Sequence, residues 1–178
     1  MALDRPLVGE PMSLDLLNTT WIDRGSVRDL LEDLEGTQAW LGEAGLDGPL
    51  TEPSRLALTA AREAIRGHVD TPDHADACAA LNEVLSWGHT RPVVGRDGPG
   101  SVSTVGDPNR RAGWLAAVNY VELLTGDPSR IRRCAHPECV LYFYDTSPKR
   151  SRRWCSMAGC GNRAKAARHY ARSRQAGG

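Results

Sequence analysis

Four of the five cysteines lie in the last quarter of this 178-residue chain, as Cys134-x4-Cys139 and Cys155-x4-Cys160 with fifteen residues between the pairs. Two short pairs of soft ligands joined by a hairpin-length spacer suit a tetrahedral Zn2+ site. The pattern constrains the fold because the segment around it has little else to bury. From Cys134 to Arg174 the sizeable apolar side chains are Val140, Leu141, Tyr142, Phe143, Tyr144, Trp154, Met157 and Tyr170. A chain of about forty residues seldom folds on so small a core without a metal, a disulfide or an oligomer. Zinc contributes on the order of 10 kcal/mol in small modules, enough to decide whether such a segment folds. The expectation is one structural Zn2+ held by Cys134, Cys139, Cys155 and Cys160, with no coordination position left for catalysis. His136 competes as a ligand by type, but Cys139 completes the better-spaced pair. Redox responsiveness of the site stays open.

Charge is divided along the chain. Residues 1–129 hold 10 Lys+Arg against 20 Asp+Glu, and residues 130–178 hold 12 against 2, in a sequence of formal net charge zero. Such asymmetry points to a polyanion-binding module behind an acidic partner domain, with nucleic acid the commonest intracellular polyanion. The opposite charges also predict that the acidic part competes with DNA for the basic part. No apolar run reaches the roughly eighteen residues of a membrane span, and Met1–Glu10 lacks a signal-peptide pattern, so a cytoplasmic protein is expected. In that reducing compartment paired cysteines more often hold metal than disulfides. Cys78, in an alanine-rich helical stretch, reads as a buried thiol.

Alternation of Met12, Leu14 and Leu16 with Ser13 and Asp15 predicts a half-buried strand, although Leu16-Leu17 also suits a short helix. Short helices are expected at Asp29–Glu35 and Thr37–Ala44, the second capped by Thr37. Longer ones are expected at Pro53–His68, at Pro72–Trp87 with Cys78, Leu81 and Val84 or Leu85 in one stripe, and from Asp107-Pro108 to Gly126. Between the last two, Asp97-Gly98 marks a hairpin turn. Trp21, Trp40, Trp87 and Trp114 fall at apolar positions and read as core.

In the basic segment, Val140–Tyr144 reads as a strand, Thr146-Ser147-Pro148 interrupts it, and Arg152-Arg153-Trp154 returns toward Cys155. After Gly161 a helix is expected, with Ala164, Ala167 and Ala171 as a close-packing stripe and Lys165, Arg168, His169 and Arg172 beside it. A knuckle, a hairpin and a helix carrying the last ligand is the order of parts in a treble-clef finger. Lys149, Arg150, Arg152, Arg153, Arg163, Lys165, Arg168 and Arg172 are the candidate nucleic-acid-binding residues, through phosphates or, for an arginine, a guanine edge. Asn162 suits a base edge, a helix cap or a hydrogen bond to a cysteine sulfur, and Arg163 a structural partner or a phosphate. Asp15, Asn18, Asp23 and Arg24 either line a small-molecule site or stabilise turns. No phosphate loop, nucleophile elbow or histidine–carboxylate cluster at catalytic spacing supports an enzyme.

At Arg152-Arg153-Trp154-Cys155-Ser156-Met157 and Cys160-Gly161-Asn162-Arg163-Ala164-Lys165, with Cys134, Cys139 and Phe143-Tyr144-Asp145-Thr146-Ser147 before them, the chain resembles the CGNR zinc-finger family over residues 130–172. Gly9-Glu10-Pro11 with Leu14-Asp15-Leu16-Leu17-Asn18-Thr19 resembles the opening of the ABATE domain, which accompanies this finger in bacterial stress-induced transcription regulators. The resemblance implies the zinc role for the four cysteines, nucleic-acid binding by the finger and a sensing role for the N-terminal domain.

The reading of the whole is an α+β, mainly helical protein. Residues 1–128 form an ABATE-like acidic regulatory domain with a small β-sheet, and 129–178 a treble-clef-like four-cysteine zinc finger with a basic C-terminal helix. The expected function is zinc-dependent DNA binding in transcription regulation, without membrane association. The alternative is a protein-interaction module in which the basic finger docks on an acidic partner or domain without DNA binding. A small-molecule effector at the N-terminal domain and a homodimer stay open.

Overall fold

The computed structural model describes residues 5–167. In chain order these form α1 (Met12–Leu17), β1 (Thr20–Asp23), β2 (Ser26–Asp29), a 3-10 turn at Leu30–Glu32, α2 (Leu34–Glu43), α3 (Glu52–Asp70), α4 (Ala75–Leu85), β3 (Gly88–Gly95), β4 (Gly98–Val105), α5 (Arg111–Gly126), β5 (Ile131–Arg133) and β6 (Tyr142–Tyr144). A π-helical turn at Met157–Gly161 then runs into helical residues 162–167. The strands make three antiparallel hairpins, β1–β2, β3–β4 and β5–β6. The class is α+β, mainly helical, as the sequence predicts. Among the described residues no helix is long and apolar enough to cross a membrane.

By packing the chain divides into two compact units, one of residues 30–122 and one of residues 5–29 together with 123–167. The first is built on long helices. α3 opens with a reciprocal cap, in which the Thr51 side chain accepts from the Ser54 N–H and Ser54 Oγ accepts from the Thr51 N–H. Pairing these otherwise orphaned amides contributes about 1 kcal/mol. α3 buries Leu58, Ala61 and Ile65, α4 buries Leu81 and Val84, and α5 buries Trp114, Ala117 and Tyr120, so each helix turns an apolar face into the core. Trp40 of α2 and Leu30 and Leu31 before it complete this core.

Several element boundaries differ from expectation. α2 is capped by Asp33, whose carboxylate accepts from the Gly36 N–H at 2.8 Å, because an Asp four residues before Thr37 supplies the better acceptor. α4 starts only after His74, and Pro72 lies in the preceding turn. Cys78 is half-buried, its Sγ 3.5 Å from the Pro72 carbonyl oxygen, so the thiol is not a core group. The β3–β4 hairpin turns on Arg96-Asp97, one residue earlier than the expected Asp97-Gly98, and Gly98 follows at φ +106. Trp87 is half-buried, with the Arg110 guanidinium 5.1 Å over its ring.

The second unit joins sequence-distant segments. Met12–Leu17 is a helix, not a strand: the Pro11 carbonyl accepts from Leu14 and Asp15, and residues 13–17 are all buried. Because both faces are covered, the apparent period of two carried no information about which face is inward. β6 pairs with β5, with Ile131 opposite Tyr144 and Arg133 opposite Tyr142. The partner strand therefore precedes the first cysteine, and the returning Arg152-Arg153-Trp154 is not a strand. Grouped by packing, residues 5–29 go with the finger, although in sequence they open the segment 1–128.

Candidate metal centre and its surroundings

Cys134 and Cys139 sit on the loop between β5 and β6, Cys155 on the return and Cys160 in the π-helical turn. The knuckle is closed by the Cys134 N–H donating to the Leu141 carbonyl and the Cys139 N–H donating to the His136 carbonyl, at 2.9 and 3.0 Å. Ser156 caps the last turn, its Oγ accepting from the Gly159 N–H at 3.0 Å. A single π-turn of this kind commonly marks a functional position in a helix. Here it brings Cys160 round toward the other three sulfurs.

All four sulfurs lie within 4.8 Å of one another, and all four residues are buried. Cys139 Sγ is 3.8 Å from Cys155 Sγ, and Cys155 Sγ is 3.5 Å from Cys160 Sγ. A disulfide needs about 2.05 Å. Tetrahedral Zn–S bonds of about 2.3 Å put the sulfurs about 3.8 Å apart, so the donor set and its spacing fit zinc. The clustered thiols shift one another's ionisation. Hydrogen bonds from neighbouring groups, Cys155 first, pull Cys139 down to about 5. The adjoining Cys139 sulfur and burial push Cys155 far up, and burial raises Cys134. The raised Cys155 and Cys134 limit mutual repulsion by staying protonated, and a bound cation would let all four sulfurs ionise.

Two arginines attend the cluster. Arg163 Nη2 donates to Cys160 Sγ at 3.1 Å, which gives the structural partner left open by its sequence. This contact holds the guanidinium firmly protonated. It offsets part of the net negative charge of a four-thiolate zinc site. Arg152 Nη2 donates to the Cys155 carbonyl at 2.6 Å and to Glu10 Oε1 at 3.0 Å, while its guanidinium stacks 4.1 Å from the Phe143 ring centroid. His136 stays out of the cluster, its Nδ1 accepting from the Glu138 N–H at 3.3 Å. Asn162 Nδ2 donates to the Ala158 carbonyl at 3.3 Å, within its own turn.

The segment 5–29 completes the outer edge of β6. Asn18, fully buried, donates from Nδ2 to the Tyr142 carbonyl and accepts at Oδ1 from the Tyr142 N–H, both at 2.9 Å. Two residues further, the Tyr144 N–H donates to Glu10 Oε2 at 2.9 Å. A side-chain amide and a carboxylate thus take the place of a third strand. Asp15 is held by Arg5 Nη2 and the Gly9 N–H, each at 2.9 Å. Asp23 and Arg24 lie at the β1–β2 turn, with Asp23 3.9 Å from Arg28 and Arg24 at φ +49. Asp15 and Asn18 thus spend polar atoms on internal partners. Trp21 is core as expected, and with Ile22, Leu141 and Arg163 it lines a cavity of about 60 Å³ beside the cysteines.

Among the candidate cations, Lys149, Arg150, Arg153, Arg163 and Lys165 are exposed, whereas Arg152 is half-buried and committed as described. Arg150 also pairs with Asp127 at 3.0 Å. Arg168 and Arg172, with the remainder of the expected basic helix, lie outside the described residues. Sequence reasoning missed Glu10 and Asp145. Asp145 is fully buried, accepting from the Ser147 N–H at 2.9 Å and the Arg152 N–H at 3.0 Å. The Ser147 hydroxyl first, and then these two backbone bonds, hold its carboxyl below the usual range. Asp145 was the one acidic residue besides Glu138 in a segment of twelve cations, and that isolation was the available signal.

Comparison with protein families agrees with the geometry. The model for the CGNR zinc finger matches residues 130–173, and the ABATE model, described as "Putative stress-induced transcription regulator", matches residues 10–127. No curated protein matches the chain. The chain belongs to the ABATE family and carries at its C-terminal end a CGNR zinc finger whose four cysteines fit one structural zinc ion.

Proposed function

We propose that this protein is a non-enzymatic transcription regulator whose zinc-ordered finger binds DNA and whose acidic family domain acts as sensor or modulator. The observation that carries the reading is the set of exposed cations Lys149, Arg150, Arg153, Arg163 and Lys165 on elements tied to the cysteine cluster. Their spacing from Cys134, Cys139, Cys155 and Cys160 along the chain makes their mutual arrangement depend on the metal. Zinc, when bound, supplies the cross-link; the side chains supply phosphate contacts that give affinity with little sequence reading.

The test is DNA affinity against salt, before and after chelation. Contacts to about five phosphates give a log–log slope of roughly −4 to −5. Chelation abolishes binding on this reading, and retention of full affinity by metal-free protein refutes it. Deleting residues 1–125 does not test competition by the acidic domain cleanly, because it removes Glu10 and Asn18 from the edge of the finger's own strand.

A second reading, docking on an acidic partner or domain without DNA binding, draws on the ion pairs of Arg152 with Glu10 and Arg150 with Asp127. In both, a candidate DNA-binding arginine already meets a carboxylate of the family domain. Absence of DNA binding at low salt by the zinc-loaded protein favours it.

A further inference from the structure

Trp154 is treated unlike the core tryptophans. Trp21, Trp40 and Trp114 are buried, and Trp114 Nε1 donates to the Leu85 carbonyl at 3.1 Å. Trp154 is half-buried, and its indole N–H has no partner among the described residues. Its ring borders two openings. One, of about 530 Å³, is lined also by Ser147, Ser151, Arg153 and Met157, and the other, of about 280 Å³, by His136, Pro137 and Arg153. Met157 is 52% exposed, an apolar side chain left at the rim of the larger opening. The Arg153 guanidinium lies 5.2 Å from the Trp154 ring centroid. The loop between Ser147 and Ser151 adds Lys149 and Arg150, both exposed, Arg150 in a surface ion pair with Asp127 that a phosphate would have to displace.

An aromatic wall, an adaptable thioether, Arg153 in the lining and two more cations on the bordering loop are complementary to a flat aromatic group carried on a phosphate chain. A base inside a duplex has both faces covered by its neighbours, so the partner that fits must present an unstacked base. We propose that the larger opening is a base-stacking subsite for single-stranded nucleic acid, in which an unpaired base lies against Trp154 while Lys149, Arg150 and Arg153 meet the flanking phosphates. This rests on the polyanion-binding reading above and deepens it, since it names the strand form the finger prefers.

The test uses the full-length, zinc-loaded protein and three fluorescent DNA probes with equal numbers of phosphates: a single strand, the same strand with abasic sugars, and a duplex, all at one salt concentration. Stacking of one base predicts about 5- to 150-fold tighter binding of the single strand than of the abasic strand. Trp154→Ala brings the single strand down to the abasic level and Trp154→Phe keeps most of the preference, with zinc content measured for both. Equal affinity of the unsubstituted protein for the single and abasic strands overturns the subsite, however the variants fold. Should the duplex still bind with the expected salt slope, DNA binding survives without the subsite. If none of the probes binds at low salt, both readings fall together.

Discussion

Replacing Asn18 tests whether the N-terminal segment is part of the zinc finger's fold. Its amide satisfies both the N–H and the carbonyl of Tyr142 in a fully buried position, 124 residues away in sequence. Asn18→Ala leaves two buried backbone groups without partners. Each such group costs about 1–3 kcal/mol, so the loss is about 2–6 kcal/mol. Asn18→Asp keeps the acceptor for the Tyr142 N–H but sets a carboxylate oxygen against the Tyr142 carbonyl, and costs as much or more. Because folding of a small zinc module is coupled to its metal, the cost emerges as weaker zinc retention, by about 30- to 20,000-fold. Competition with a chromogenic chelator, alongside denaturant unfolding followed by near-ultraviolet dichroism, measures both. A change below about tenfold in zinc retention, with an unshifted denaturation midpoint, refutes the reasoning.

Two further substitutions probe the other unit. Gly36→Ala, a change that in an exposed helix interior stabilises by about 1 kcal/mol, here puts a Cβ 1.7 Å from the Leu30 carbonyl oxygen and 2.8 Å from its carbon. Backbone has to move, so a loss above about 3 kcal/mol is expected by chemical denaturation, and a gain in stability refutes the packing. Tyr120, whose hydroxyl lies 3.0 Å from His68 Nδ1, is raised to about 12, by burial first and by the charge of Asp70 second. An unfolded tyrosine titrates near 10. The stabilisation is therefore fully present below about pH 10 and is lost as pH rises toward about 12. The absorbance difference between the unsubstituted protein and Tyr120→Phe should titrate near the upper value; a midpoint near 10 contradicts the burial.

The metal ligands were legible because ligand type and spacing are local properties, and Cys134, Cys139, Cys155 and Cys160 satisfy them without reference to the remainder of the chain. α3 and α5 were legible for the same reason, since the spacing of Trp114, Ala117, Val118, Val121 and Leu124 repeats within one element, although Tyr120, outside that set, is buried and Val118, Val121 and Leu124 are only half-buried. What sequence could not give was pairing between distant segments. Arg152 reads as one more cation of a basic run, yet its role is set by Glu10, 142 residues earlier. β5 was overlooked because Ile131-Arg132-Arg133 offers one apolar residue, and its strand identity comes from pairing with β6. Met12–Leu17 misled because a helix buried on every side has no polar face to reveal its period.

Insertion of 30–122 between the two parts of the second unit imposes a schedule on biosynthesis. Residues 5–29 leave the ribosome long before Tyr142, Tyr144 and Arg152 exist, so Glu10 and Asn18 spend most of translation hydrogen-bonded to water. Closing so long a loop is slow relative to forming the intervening helices, whose contacts are local. Metal capture and seating of the N-terminal segment consequently belong to the last stage of maturation. A nascent chain stalled before Cys155 has two of its four sulfur ligands and no Arg152 for Glu10 to meet.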